Sequence, residues 1–218
     1  MSTADEQEFE MPNRGDDRPG LDDLDNLVTG EELDADDDLD DDLDDGDDDD
    51  DEDEEYPEDA TEDDIDLVIA CYREDGQPVA TPLELDLAND LDGLIEQLRR
   101  IPGDAGAVGM VSVANEVFVL VRVRGKRVQV FCSDALASDD WPIARDVLDF
   151  LEAELPDDDS DEPFPIGDAD ILSDAGLPDF ELEAMAEDEE EDSTNLLELI
   201  ATKLGFKAQF AKALASFE

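Results

Sequence analysis

The sequence contains no histidine and few basic residues. Its 218 residues include 2 Cys, 1 Trp and 13 Lys and Arg, against 70 Asp and Glu. Without histidine the chain can form neither a Ser-His-Asp nor a Cys-His nucleophilic system, and it lacks the commonest zinc ligand. It also has no P-loop, GxSxG or HExxH motif. We therefore predict a protein that is not an enzyme, with no catalytic, cofactor-binding or metal-binding residues.

The two cysteines are expected to be structural. Cys71 and Cys132 both lie inside apolar runs typical of strands, where a free cysteine usually behaves as a small buried hydrophobe. Two cysteines without a histidine do not complete a tetrahedral zinc site. A disulfide between them stays open at this point, although nothing else indicates a secreted, disulfide-built domain.

The excess of acids gives a net charge of −57. Such a charge disfavours direct nucleic-acid binding, which uses Lys and Arg to replace counterions at phosphates, and it disfavours anionic membranes. It favours attraction to a basic partner, and the alternative is an acidic tail that has no partner. Residues 1–64 hold 34 of the acids and only two Arg, so we predict that they form a disordered acidic tail.

Long apolar runs are absent as well. None approaches the roughly 18 residues that a membrane span requires. The N-terminal segment MSTADEQEFE has neither the basic region nor the apolar region of a signal peptide. The expected location is the cytoplasm.

The strongest strand pattern is VFVLVRVRGKRVQVF, residues 117–131. Four valines alternate along its first strand, with Phe118, Leu120, Arg122 and Arg124 on the other face. Gly125-Lys126 forms the turn into a second strand, 127–132. With a strand at 106–114, these runs predict an antiparallel meander.

Further elements complete the predicted fold. The run IDLVIACY (65–72) is predicted to be an inner strand, and residues 79–87, interrupted by Pro82, an edge strand. Helices are predicted over residues 91–101 and over the region after Pro142. The order β-β-α-β-β-β-α predicts an α+β domain over 65–155, with an antiparallel sheet of about five strands and helices on one face. An acidic linker (156–167) and a helical C-terminal segment (168–218) follow.

Two surfaces are candidates for binding a partner. The first is the basic cluster on the hairpin, and the second is the last amphipathic stretch, where apolar residues recur at helical spacing among lysines. Each has a plain alternative: the hairpin cations pair with the domain's own acids or with solvent, and the last helix packs on its neighbours. The candidate residues are Arg122, Arg124, Lys126, Arg127, Lys203, Phe206, Lys207, Phe210, Lys212 and Leu214.

Several stretches together resemble the actinobacterial tRNA adenosine deaminase-associated protein family. They are DLDGLIEQLRR, the meander ending in VQVFCSDA, the acidic linker, GDADILSDAGLP and LLELIATKLGF. The resemblance covers roughly residues 65–214 and implies an association with the enzyme that converts adenosine to inosine in tRNA. It supplies no catalytic residues. Zinc-dependent deaminases need a His-x-Glu and a Pro-Cys-x-x-Cys, and neither is present.

These observations lead to two hypotheses about function. The first is a non-catalytic accessory protein that binds or modulates a tRNA adenosine deaminase, or another basic protein, through electrostatic attraction. The second is an RNA-contacting protein that uses the basic hairpin and the C-terminal helix, with the acidic tail as an internal brake.

Overall fold

A computed structural model of the chain describes residues 56–103, 105–155, 163–188 and 190–217. In this part of the chain the strands are β1 (Ile65–Glu74), β2 (Gln77–Pro82), β3 (Ala107–Val113), β4 (Val117–Arg124), β5 (Arg127–Cys132) and β6 (Ile166–Gly167). They form one sheet in the order β2-β1-β3-β4-β5-β6, and every neighbouring pair is antiparallel. The predicted α+β class with an antiparallel sheet is confirmed.

The meander β3-β4-β5 forms where the alternating pattern predicted it. Arg124 pairs with Arg127 across a two-residue turn. Gly125 occupies the first turn position with a φ of +60°, a conformation that glycine adopts without a Cβ clash. Val117, Val119, Val121 and Val123 all face one core, and Phe118 and Leu120 face the other.

The first face of the sheet is covered by helices α1 (Leu91–Arg99) and α2 (Pro142–Leu151). The Asp90 carboxylate caps α1 by accepting a 2.8 Å hydrogen bond from the Gly93 N–H. Leu91, Leu94, Ile95 and Leu98 are all buried, as the helical spacing predicted. Helices α1 and α2 thus share one face, in agreement with the predicted arrangement.

The second face is covered by helices α3 (Asp179–Ala186), α4 (Ser193–Lys203) and α5 (Lys207–Leu214). Their apolar residues share a core with Leu67, Ile69, Phe118 and Phe131 of the sheet. Polar contacts hold the start of α4: Ser193 Oγ lies 2.6 Å from the buried Ser112 Oγ, which donates to Asp66 Oδ2 at 2.8 Å. The C-terminal helices therefore bury a full sheet face, while the division of the chain at 155 and 168 stays a prediction.

The second strand and the number of strands differ from the prediction. Strand β2 ends at Pro82, and residues 85–89 form a 3₁₀ helix instead of continuing the strand, since Pro82 lacks an N–H for the ladder. The sheet of the described residues has six strands because the end of the predicted linker adds β6 beside β5. A two-residue strand has no alternation to detect. Gly167 permits the pairing, because a Cβ there would lie 2.3 Å from the Val130 carbonyl oxygen.

The fold also includes residues before the first strand. Ala60 is buried, and its N–H and carbonyl oxygen form hydrogen bonds of 2.8 and 2.9 Å with the Asn89 side chain. The acidic tail was predicted to be disordered over residues 1–64. Residues 1–55 of it lie outside the described residues, and its last part includes the buried Ala60.

Candidate functional site

The hairpin cluster divides into one buried and three exposed cations. Arg122 is only 4% exposed, whereas Arg124, Lys126 and Arg127 are exposed at the tip of the β4-β5 hairpin. Arg122 is the third residue on the Phe118 face of β4, after Phe118 and Leu120, and that face is covered by the residues that follow β6. Arg122 therefore differs from the other three residues of the predicted cluster in being buried.

Arg122 is held by the segment that follows β6. Its Nη1 donates to the Ile171 carbonyl oxygen at 2.7 Å and to Asp174 Oδ1, and its Nη2 donates to Asp174 Oδ2 at 3.1 Å. Arg124 Nη1 also donates to Asp174 Oδ2 at 3.1 Å. Pairing of both carboxylate oxygens with one guanidinium is the geometry that arginine favours. For Arg122 and Arg124 the structure thus shows pairing with the domain's own acids.

Two aspartates that precede Asp174 in the chain accept hydrogen bonds from β5, the strand next to β4. Asp170 accepts from the Gln129 side-chain amide, and Asp168 accepts from the Val130 N–H, each at 3.3 Å. The acids of the GDADILSDAGLP run are thus partners of β4 and β5. Hydrogen bonds from Arg122 are the main reason that the pKa of Asp174 lies below its ordinary value, with the charges of Arg122 and Arg124 adding to the effect.

The C-terminal candidates also divide by exposure. Phe206 and Phe210 are buried, Leu214 is half-buried, and Lys207 and Lys212 are exposed. Lys203 Nζ lies 2.7 Å from Glu181 Oε2 and ties α4 to α3. The apolar face of α5 is therefore packed on the sheet, which matches the alternative interpretation of that stretch, and its lysines face outward.

A cavity of about 320 Å³ brings the two predicted surfaces together. We call it the arginine pocket. It lies between the end of β1, the turn at Asp174 and the connection from α4 to α5, and Arg122 forms part of its wall. The other wall residues include Cys71, Arg73, Val108, Leu172, Leu204 and Phe206. Arg122 and Phe206 thus line the same cavity.

Arg73 is a pocket residue that lies just beyond the strand predicted over 65–72. It is the penultimate residue of β1, and its Nη2 donates to the Leu204 carbonyl oxygen at 2.9 Å. Its guanidinium carbon lies 5.1 Å from the centre of the Phe206 ring, within the range of a cation–π contact. The two-residue period of a strand, continued from Ile69 and Cys71, places Arg73 on the sheet face that the C-terminal helices cover. No local sequence pattern indicated which residues would contact Arg73 there.

One donor in the pocket lacks a partner. The Nε–H of Arg122 is buried and has no hydrogen-bond partner in the described part of the chain. A buried donor without a hydrogen-bond partner lowers the stability of the folded state by about 1–3 kcal/mol. Such a group is uncommon in folded proteins, and it belongs to a residue that lines the arginine pocket.

The two cysteines are far apart. Cys71 is on β1 and belongs to the core under the C-terminal helices, while Cys132 is on β5 and belongs to the opposite core. Neither forms a disulfide, and burial raises the pKa of each thiol to about 12. Two strands separate β1 from β5 in the sheet, so these thiols cannot ligate one ion.

The described residues carry neither a metal-binding cluster nor a membrane-spanning helix. They contain no group of three or more His, Cys, Asp or Glu side chains placed to hold a metal ion. Among the helices of this part of the chain, none has the length and apolar character that crossing a membrane requires.

Comparison with known proteins places the chain in a family. The family profile described as Rv3753c-like tRNA adenosine deaminase-associated protein matches residues 66–207. Protein Rv3753c of Mycobacterium tuberculosis is 31% identical over 148 residues, which cover 67% of this chain and 86% of that protein. No solved structure matches the chain. The matched residues run from β1 to the start of α5 and include Arg73, Arg122 and Asp174, and the chain belongs to the Rv3753c-like tRNA adenosine deaminase-associated protein family.

Proposed function

We propose that this chain is a cytoplasmic, non-catalytic accessory protein that binds a tRNA adenosine deaminase and modulates its access to tRNA. The observation that carries the proposal is the charge of the chain, 70 acidic against 13 basic residues, in a member of a family whose description associates it with that enzyme. A deaminase that binds tRNA needs a basic surface for the phosphates. An acidic protein is complementary to such a surface.

The residues support a binding role instead of a catalytic one. Base deamination by the zinc mechanism requires a His and two Cys on one metal, with a Glu that moves the proton. This chain has no His, and its two thiols lie on opposite faces of the sheet. The chemistry would therefore belong to the partner enzyme.

Electrostatics supplies the mechanism. Attraction between the acidic chain and a basic enzyme raises the association rate and weakens as salt screens the charges. Because the phosphates of tRNA use the same basic surface, the acidic chain would compete with tRNA. The acids of residues 1–55 supply much of this field without any requirement for a fixed structure.

The test is a calorimetric titration of the full chain into the tRNA adenosine deaminase of the same organism, at low and at moderate salt. Binding that weakens as salt rises is the expected result. The same titration with a chain that lacks residues 1–50 measures how much of the binding affinity depends on the acidic segment. This cut leaves Ala60 and its bonds to Asn89 in place, whereas removal of residues 1–64 would delete them. Absence of binding at both salt concentrations would refute the proposal.

The RNA-contacting function is the second candidate, and the exposure of Arg124, Lys126 and Arg127 on one hairpin favours it. The pairing of Arg122 and Arg124 with Asp174 counts against it, because these guanidinium groups already have an anion. The variant Lys126→Gln/Arg127→Gln separates the two functions in a tRNA filter-binding assay. Arg99→Gln/Arg100→Gln is the matched control, since it removes two exposed charges from the end of α1. RNA contact through the hairpin requires that only the first variant lowers tRNA retention.

A further inference from the structure

We propose that the arginine pocket binds a small organic anion, an apolar body that carries a carboxylate or phosphate group. Arg73 and Arg122 would bind the anionic group, and the apolar walls would contact the body. This inference is independent of the deaminase partner, since it concerns a cavity between the sheet and the C-terminal helices.

The charges of the pocket are the reverse of those of the chain. Among the described residues, its walls carry the guanidinium groups of Arg73 and Arg122 and one carboxylate, that of Asp174. The whole chain, in contrast, has a net charge of −57. A concave site that holds two cations beside apolar walls concentrates positive potential. An anion is therefore the ligand that this cavity favours.

The hydrogen-bonding capacity of the two arginines supports the same ligand. A guanidinium has five N–H donors. The hydrogen bond that Arg73 makes with the described residues uses one of them, on the Leu204 carbonyl oxygen. Arg122 has an unpartnered Nε–H although its side chain is only 5% exposed. Planar guanidinium groups with spare donors bind carboxylates and phosphates well.

The remaining walls define the rest of the ligand. Val108, Leu172 and Phe206 line the cavity with apolar surface, and Arg73 is held against the Phe206 ring. A volume of about 320 Å³ lies at the lower end of the range of small-molecule sites. Benzoate and phenyl phosphate have the size and the mixed character that these walls would accept.

In the absence of a ligand, the carboxylate of Asp174 is the anion that pairs with Arg122 in the pocket. Its side chain is 51% exposed and lies on the one-turn 3₁₀ helix Ser173–Ala175, so it can turn toward solvent more easily than a buried group. A ligand anion would share or replace its contacts with Arg122. Neutralising Asp174 should therefore increase the affinity of the pocket for anions.

The experiment uses the full chain, with benzoate, phenyl phosphate and benzyl alcohol as probes, and follows backbone amide shifts by NMR. Both anions should shift the amides of residues 71–73, 172–175 and 204–206 in a saturable way, and benzyl alcohol should not. The stronger of the two anions identifies the group that the pocket favours. Arg73→Met should weaken binding at least tenfold, while the control Arg100→Met, which removes an exposed charge on the other face, should leave it unchanged.

Asp174→Asn gives the opposite expectation, a gain of at least fivefold in affinity for the same anion. A purely structural role for Asp174 would not produce a gain. The proposal is overturned if neither anion shifts these amides saturably, if Arg73→Met and Arg100→Met behave alike, or if benzyl alcohol binds as well as the anions. If Asp174→Asn does not fold, the comparison of the Arg73 and Arg100 variants still decides.

Discussion

Arg122 on β4 and Asp174, 52 residues later in the chain, form a two-point ion pair under the C-terminal helices. The arginine is only 4% exposed, so its charge depends on this carboxylate and on the Ile171 carbonyl oxygen for compensation. The pair joins the central strand to the segment that leads into α3. The Nε–H of Arg122, which lines the arginine pocket, has no partner in the described part of the chain.

The ion pair predicts a pH-dependent contribution of Asp174 to stability. Because hydrogen bonds from Arg122 lower the pKa of Asp174 in the folded state, its stabilising effect is present above its unfolded pKa and is lost as pH falls through the folded pKa. Asp174→Asn should lower the free energy of unfolding by about 1–2 kcal/mol at neutral pH, a modest value because the carboxylate is half exposed. The difference from the native chain should shrink below pH of about 4.

Urea unfolding followed by the fluorescence of Trp141 measures this difference. Comparing two chains at each pH removes the general effect of acid on a protein of net charge −57. Asp92→Asn, in the exposed first turn of α1, controls for the loss of one negative charge. A difference for Asp174→Asn that stays constant down to pH of about 3 would contradict the role of the ionised carboxylate.

The thiols should be inert in the native protein. Both cysteines are buried, and burial raises the pKa of each thiol to about 12, so almost no thiolate forms at neutral pH. Labelling with Ellman's reagent should be at least ~100-fold slower in native buffer than in guanidinium chloride. In denaturant both thiols of the chain should react. Rapid labelling of one thiol in native buffer would show that its core opens.

The packing of the C-terminal helices can be tested with two phenylalanines. Phe210 of α5 is fully buried against the sheet, and Phe180 of α3 is 64% exposed. Phe210→Ala should lower the free energy of unfolding by about 3–5 kcal/mol through lost burial and a cavity. Phe180→Ala should change it by less than about 0.5 kcal/mol. Similar small effects in urea unfolding would mean that α5 does not contribute to the core.

Local pattern was sufficient for strand β4 and for its hairpin with β5. Alternation along β4 placed its valines on one face and Phe118 and Leu120 on the other, because side chains of a strand project with a period of two. Gly125 supplied a turn conformation that few other residues adopt. Helix α1 followed from the helical spacing of its apolar residues.

Local pattern was not sufficient for β2 or β6. Apolar residues after Pro82 resembled a continued strand, but they pack against the first core from a 3₁₀ helix. Strand β6 depends on the close approach of Gly167 to the Val130 carbonyl oxygen. Strand β2 ends where Pro82 interrupts the ladder, whereas β6 depends on a part of the chain that is distant in sequence.

The sequence by itself determined the absence of histidine chemistry, the extreme negative charge, and which residues share a strand face, because these are properties of composition and of short periods. Only the tertiary structure decided what covers each face. The strand period that made Arg122 a candidate for the surface placed it beneath the turn that carries Asp174. Arg73 forms a hydrogen bond with the carbonyl oxygen of Leu204, 131 residues later in the chain. Contacts across such separations depend on how whole layers pack, and no local pattern encodes them.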